Sequence, residues 1–189
     1  AQTGFGQTTG TIQIGSGNGT VNGSTAIPVS NYVYNYSQQI VTASEFAQGG
    51  GVAGDITKIR YKPTVIGTIT VWNSWTIWIG NTTKTEFATD TDWVALADMT
   101  QVFTGIIPAA VANDWFEIEF TVPFDYTGGN LVVAVHENTL GWLSAPTFSS
   151  YTSTPNSGIM YRDDTINPSP ATPPTAFARV AVLPQIQFE

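Results

Sequence analysis

The 189-residue chain contains no cysteine, a single histidine, and only six Lys and Arg residues against 14 acidic residues. Without cysteine there can be no disulfides, thiolate metal sites or cysteine nucleophiles. With His136 alone, a two-histidine metal site is excluded, and any Ser-His-Asp triad would have to include this residue. The formal net charge of -8 would repel a phosphate backbone, so nucleic acid is not an expected partner. Membrane insertion is not expected either, because no apolar run approaches the ~20 residues of a membrane span.

The residues that are present predict one folded, exported domain. Hydrophobic residues make up 42% of the chain and aromatic residues 12%, which is too apolar for a disordered polymer. Few lysines, abundant Thr, Ser, Asn and Gly, and a start at Ala1-Gln2 are typical of a mature secreted protein. We therefore expect an extracellular or cell-surface location.

Short apolar, β-branched and aromatic segments recur along the chain between Gly, Pro, Asn and Asp residues, and no stretch keeps a 3.6-residue apolar period. This pattern predicts an all-β sandwich of the jelly-roll type. The predicted fold comprises a Gly- and Thr-rich N-terminal arm over residues 1–25, with an edge strand, and a sandwich domain over residues 26–189. A turn at Asn73-Ser74 and a helical turn over residues 91–99, capped by Asp92, are also predicted. The predicted strands are 11–14, 32–42, 56–61, 66–72, 75–79, 100–107, 115–122, 131–137, 147–151, 159–162 and 179–188.

Aromatic residues provide the first candidates for a binding site, because exposed indoles stack on sugar rings. Trp72, Trp75 and Trp78 form the densest cluster. If the chain turns at Asn73-Ser74, Trp72 and Trp75 are cross-strand partners on one apolar face and Trp78 lies on the other, so burial is favoured over a sugar platform. Trp78 stays a binding candidate, and Trp142 is the loop aromatic expected to contact a ligand first.

His136 ends an apolar strand, where a residue at the rim of the sheet is favoured over a catalytic base. It is the third binding candidate. Glu117 and Glu119 share one strand face, where solvated carboxylates are favoured over glycoside hydrolysis, since that reaction needs two unequal environments. The chain is therefore not expected to be an enzyme.

Four aspartates in two loops could supply oxygen ligands for calcium, which is the only cofactor that the sequence suggests. They are Asp90, Asp92, Asp163 and Asp164. Turn and cap chemistry is favoured over a metal site, because neither pair has EF-hand spacing.

Several motifs follow one another along the chain in a fixed order: Ile14-Gly-Ser-Gly17, Tyr36-Ser-Gln-Gln-Ile40 with Ala43-Ser-Glu45, Trp75-Thr-Ile-Trp-Ile-Gly80 with Thr82-Thr-Lys84, Thr91-Asp-Trp-Val94, Leu131-Val-Val-Ala-Val135 with Glu137-Asn-Thr139, Asn167-Pro-Ser-Pro170 with Pro173-Pro-Thr-Ala176, and Arg179 with Leu183-Pro-Gln-Ile-Gln-Phe188. Together they resemble an extracellular β-rich domain of secreted and surface proteins of Bacteroidota, many of them exported by the type IX secretion system. The chain departs from that family's pattern at Asn81, where His is common, and at His136, where Asp is common. The resemblance implies a surface-interaction role, with no catalytic residues to carry over. It also implies O-glycosylation of Thr165, because Asp164-Thr165-Ile166 fits the acceptor pattern of these bacteria.

The function predicted from these features is non-catalytic adhesion, through binding of a glycan or another surface partner. The alternative is a structural subunit of an extracellular filament or layer, in which copies of the chain assemble through the N-terminal arm. A hydrolase that uses Glu117 and Glu119 is a third hypothesis, and it lacks a visible activating partner.

Overall fold

The computed structural model describes residues 9–21, 23–67, 71–107, 109–141 and 146–189. Within these residues every strand pairing is antiparallel, and the chain is an all-β sandwich, as predicted. The strands are β1 (Ile12–Ile14), β2 (Gly19–Val21), β3 (Tyr34–Val41), β4 (Gly54–Tyr61), β5 (Pro63–Val65), β6 (Trp72–Thr82), β7 (Thr100–Ile107), β8 (Phe116–Tyr126), β9 (Asn130–Glu137), β10 (Thr147–Thr152), β11 (Gly158–Asp163), β12 (Ala178–Val180), β13 (Val182–Pro184) and β14 (Ile186–Phe188), and the described α-helix is α1 (Ala43–Gln48).

One layer of the sandwich is a six-stranded sheet in the order β12-β11-β3-β9-β6-β7. The opposing layer contains β1-β14-β4-β8 and β13-β10-β2, with β5 paired to β10. Only Lys62 separates β4 from β5, and only Gln185 separates β13 from β14. At both points the chain passes directly from one of the smaller sheets to the other. Most connections pass from one layer to the other, which is the jelly-roll arrangement.

The main core lies between the two layers and follows from strict alternation along the strands. In β8, for example, Phe116, Ile118 and Phe120 are buried while Glu117 and Glu119 are exposed. Other fully buried contributors include Ile59, Ile77, Phe148 and Phe188.

The six-stranded sheet is buried on both faces. Its face away from the main core is covered by two loop segments, residues 83–99 and 164–177, which we call the loop layer. Ile40 and Val132 on the sheet pack against Phe87 and Val94 in this layer. Burial on both faces explains the unbroken apolar run from Leu131 to Val135 in β9.

The turn predicted at Asn73-Ser74 is wrong, because β6 continues from Trp72 to Thr82 without a reversal. The pairing register with β7 shifts between Trp72 and Trp75. A bulge of this kind places residues three apart on the same face, which simple alternation would not do. Both indoles are 1% exposed, so the predicted burial is right although the cross-strand pairing is not.

Three other local predictions also differ from the structure. The helical turn is confined to a 3-10 turn at Leu96–Asp98, with Ala95 rather than Asp92 at the cap position. The predicted strand 66–72 is not continuous, since β5 ends at Val65 and β6 begins at Trp72, and residues 68–70 lie outside the described part of the chain. The last predicted strand is divided into β12, β13 and β14, because the chain changes sheet twice.

Helix α1 was missed by the sequence analysis, although its signal is local. Thr42 accepts a hydrogen bond from the backbone N–H of Glu45, and the Glu45 carboxylate accepts one from the N–H of Thr42. This reciprocal capping box marks a helix start immediately after a strand. α1 lies against the outer edge of β1, where a Cβ atom at Gly49 would come within 2.6 Å of the Gln13 carbonyl oxygen.

The N-terminal arm contributes two strands to the smaller sheets. β1 pairs with β14 and fully buries Ile14, and β2 pairs with β10. The predicted edge strand thus lies within its own molecule. Residues 1–8 and 22 of the predicted arm lie outside the described residues.

Candidate functional site

An open cleft of about 770 Å³ lies between the end of β6, the loop layer and the turn that joins β8 to β9. We call it the loop-layer cleft. A second cavity, of about 690 Å³, lies between β1, α1 and β10. The first is the stronger candidate because it joins an indole ring to several hydrogen-bonding side chains. Among the residues that line it are Asn81, Thr82, Lys84, Trp93, Asp98 and Thr127.

Trp93 is half-buried and held in one orientation. Its ring centroid lies 5.1 Å from that of Tyr36, and its Nε1–H donates to the backbone oxygen of Pro174 at 2.9 Å. The indole therefore connects the two segments of the loop layer to the sheet beneath them, while it also lines the cleft.

Gln38 fixes the backbone next to Trp93. Its Nε2 donates to the backbone oxygen of Val94 at 2.9 Å, and its Oε1 accepts from the Val94 N–H at 2.8 Å. The Gln38 side chain is fully buried, so these bonds form out of contact with water. One strand residue thus satisfies both backbone groups of a loop residue and holds the cleft wall in place.

Two of the loop aspartates considered as calcium ligands, Asp90 and Asp92, form ion pairs with basic side chains. Lys84 Nζ lies 2.5 Å from Asp92 Oδ1, and Arg179 Nε lies 2.7 Å from Asp90 Oδ1. Partial burial alone would raise the pKa of Asp92, but the bonds from Lys84 and from the backbone N–H of Ala88 lower it below its ordinary value. Arg179 also donates to two backbone oxygens of the loop, so these pairs brace the loop layer.

The second predicted pair performs turn chemistry. Asp163 Oδ1 accepts from the backbone N–H groups of Thr165 and Ile166 at 2.7 and 2.8 Å, and these bonds hold the pKa of Asp163 below its ordinary value. Asp164 Oδ1 accepts from the Val33 N–H at 3.2 Å. In the described part of the chain, no three His, Cys, Asp or Glu residues come together in an arrangement suited to a metal ion.

The binding candidates His136 and Trp78 lie beneath the loop layer. Each is 8% exposed, and Trp78 packs with Tyr36 and Ala134. His136 Nε2 lies 2.9 Å from Asn167 Oδ1, and burial lowers the pKa of the imidazole more than this contact raises it. Neither side chain offers an open face to a ligand.

The third binding candidate, Trp142, lies outside the described residues. The predicted modification site, Thr165, is exposed, and its hydroxyl donates to Asp163 Oδ1 at 2.9 Å.

The Glu117 and Glu119 carboxylates lie on the solvent face of β8, as favoured from the sequence. Arg60 Nη2 lies 2.5 Å from Glu117 Oε2, and Lys58 Nζ lies 3.2 Å from Glu117 Oε1. Slight desolvation would raise the pKa of Glu117, but hydrogen bonds from these two basic groups lower it instead. The same basic groups bind Glu189, so Glu117 belongs to a surface ion-pair network.

Glu137 is an ionisable residue that the sequence analysis did not single out. It is fully buried at the end of β9, where Oε1 accepts from the Thr139 N–H at 2.6 Å and Oε2 accepts from Asn35 Nδ2 at 3.3 Å. Desolvation outweighs these bonds and raises the pKa of the carboxyl to about 7. In the sequence, Glu137 follows an apolar run and has the pattern of an ordinary polar residue at the end of a strand. Its burial depends on packing by distant segments, which this pattern does not contain.

Comparisons with known proteins do not place the chain in a family. No protein-family model matches the sequence, and a search of curated proteins found no match. None of the helices in the described residues has the length and apolar character needed to cross a membrane.

Proposed function

We propose that this protein is a secreted, non-catalytic surface module that binds carbohydrate in the loop-layer cleft. The observation that carries the proposal is the half-buried indole of Trp93, held in one orientation in an open cleft among polar side chains. A fixed aromatic ring offers an apolar surface to the C–H groups of a sugar, and the surrounding polar groups can bind its hydroxyls.

The arrangement of the acidic residues supports binding rather than hydrolysis. A glycosidase needs one carboxyl group held protonated beside another that stays ionised. Glu117 has a lowered pKa within its ion-pair network, and the raised pKa of Glu137 belongs to a side chain with no exposed surface. These carboxyls lie on different strands and neither lines the cleft.

The proposal is tested by screening the purified full chain against an array of glycans and titrating the strongest ligand by calorimetry. Trp93→Leu keeps an apolar contact with Tyr36 but removes the flat ring, and we expect it to weaken binding at least tenfold. Trp115→Ala is the matched control, because Trp115 is half-buried at the far end of β8 from the cleft. Equal affinities for the native chain and Trp93→Leu would remove the cleft from consideration.

A second candidate function is a subunit of an extracellular filament or layer. The observation that favours it is the short pairing of β1 with β14. Only three residues of β1 are paired, and Ile14 among them is fully buried. Gly15 and Gly17 follow in the connection to β2 with positive φ angles of 76° and 107°, which glycine adopts without steric cost. The same pairing with β14 could form between neighbouring copies by strand exchange.

Light scattering and electron microscopy of the full chain distinguish the two functions. A strand-exchanging subunit forms large regular assemblies, which are lost when residues 1–20 are deleted. A carbohydrate-binding module stays monomeric, and its affinity changes little after the same deletion. Circular dichroism of the shortened chain provides the control for folding.

A further inference from the structure

The charged groups of the loop-layer cleft differ in how far they are already paired. Lys84 is bound to Asp92 at 2.5 Å, and the other oxygen of Asp92 accepts from the Ala88 N–H at 2.8 Å. Asp98 is exposed and makes no ion pair with any residue that the structure describes. The basic group of the cleft is thus neutralised before a ligand arrives, whereas the carboxylate of Asp98 is free.

The contact at Gly80 brings the 3-10 turn that carries Asp98 against β6. A Cβ atom at Gly80 would lie 2.6 Å from the Asp98 backbone oxygen, so only glycine lets the 3-10 turn rest directly on β6. Asn81 follows Gly80 in the strand and is exposed. Asn81 and Asp98, from distant parts of the sequence, both line the cleft.

We infer that the loop-layer cleft selects uncharged sugars with adjacent hydroxyl groups, with the Asp98 carboxylate as their acceptor, Asn81 as a second hydrogen-bonding group and Trp93 as the stacking surface. This inference rests on the proposed function and names its ligand class. A carboxylate has about four lone-pair sites on two oxygens, so it can accept from two neighbouring hydroxyls at once. The Asn81 amide can donate to a hydroxyl oxygen and accept from a hydroxyl hydrogen.

Acidic sugars are disfavoured by the same charges. A uronate or sialate carboxylate would meet the Asp98 carboxylate, and the charge of Lys84 is already offset by Asp92. The net charge of -8 adds long-range repulsion of anions. Selectivity for neutral ligands thus has a repulsive component as well as an attractive one.

The test compares neutral glycans with acidic glycans of the same core, first on an array and then by calorimetry with the best neutral ligand. We expect binding to the neutral series, at least a tenfold loss of affinity in Asp98→Ala, and a smaller loss in Asp98→Asn, which keeps the shape of the side chain. Asp98→Asn should also improve binding of the acidic counterpart relative to the neutral one. Asp55→Ala, an exposed aspartate on β4, is the control and should bind as the native chain does.

The contrary results distinguish a failure of this inference from a failure of the proposed function. Tighter binding of acidic than of neutral glycans, with sensitivity to Trp93→Leu, would overturn the inference and leave the proposed function standing. So would neutral binding that is lost in Trp93→Leu but unchanged in Asp98→Ala. Binding of no glycan at all would overturn the proposed function, and this inference with it.

Discussion

Glu137 should make the stability of this protein depend on pH near neutrality. The folded state keeps the carboxyl protonated up to a pKa of about 7, whereas a carboxyl with its ordinary value of 4.5 ionises well below that. Between these two values the folded state binds more protons than the unfolded state, so raising the pH lowers the free energy of unfolding. Each tenfold difference in proton affinity corresponds to about 1.4 kcal/mol. The difference between a pKa of about 7 and 4.5 therefore lowers the free energy of unfolding by about 3 kcal/mol once the pH is above both values.

The substitution that isolates this effect is Glu137→Gln, which cannot ionise. The glutamine oxygen can still accept from the Thr139 N–H, although its amide nitrogen then faces Asn35. That mismatch costs the same at every pH, so the slope of stability against pH is the informative quantity. We expect the native chain to lose about 3 kcal/mol between pH 4.5 and 8 relative to Glu137→Gln.

The neighbouring His136 acts in the opposite direction. Its pKa is lowered by burial, so its contribution to stability is present above about 6.5 and is lost as the pH falls through the folded-state value. Comparing the native chain with Glu137→Gln cancels this contribution, because both proteins contain His136. The acids with lowered pKa values are present in both proteins, so their contributions cancel in the same way.

Urea denaturation at constant ionic strength, at several pH values from 4.5 to 8, measures the two slopes. Glu119→Gln, an exposed residue on β8, is the control and should retain the native slope. Identical slopes for the native chain and Glu137→Gln would show that Glu137 has the same proton affinity in the folded and unfolded states, and the predicted pH dependence would be wrong.

Four further predictions concern the elements that shape the sandwich and its loop layer. Thr42→Ala removes the capping box of α1 and should cost about 1 kcal/mol, measured by urea denaturation, while Thr42→Ser should restore most of it. Gly80→Ala forces a Cβ atom against a backbone oxygen of the 3-10 turn and should cost about 1–3 kcal/mol; an unchanged midpoint would mean that the turn can move away freely. Gln38→Leu leaves both buried backbone groups of Val94 without partners, and hydrogen exchange at the Val94 amide should become faster while exchange in the core strands changes less. Mass spectrometry of protein from the native source should show a shifted mass for the peptide that contains Thr165, and an unshifted mass rules out its glycosylation.

Local patterns were enough to predict several strands of the main core. Alternation in β8 shows directly which residues face the core, and the predicted strand over residues 100–107 matches β7 residue for residue. The period of two is a property of the extended backbone itself, so it needs no knowledge of the rest of the fold. The capping box at Thr42 is a local signal of the same kind, and it was sufficient to predict the start of α1, which the sequence analysis missed.

The binding candidates depended on contacts that a sequence does not contain. Trp78 and His136 are residue types that often bind ligands. The loop layer covers both of them, because it packs on the face of the six-stranded sheet that points away from the main core. The loop aspartates fit oxygen ligands equally well in the sequence, yet Lys84 pairs with Asp92 within the same loop and Arg179 reaches Asp90 from β12. The pairing of Asp90 and the burial of Trp78 and His136 are decided by long-range packing.

The sequence by itself determined the all-β class, the alternation of the strands, the excess of negative charge and the absence of cysteine chemistry. Only the tertiary structure brought Asn81, Trp93 and Asp98 to one cleft and enclosed Glu137. The physical reason is that strand periodicity and capping depend on neighbours within a few residues, whereas a site depends on which distant segments lie side by side. In this protein that juxtaposition is fixed by the glycine contact at β6 and by the hydrogen bonds from Gln38 to Val94.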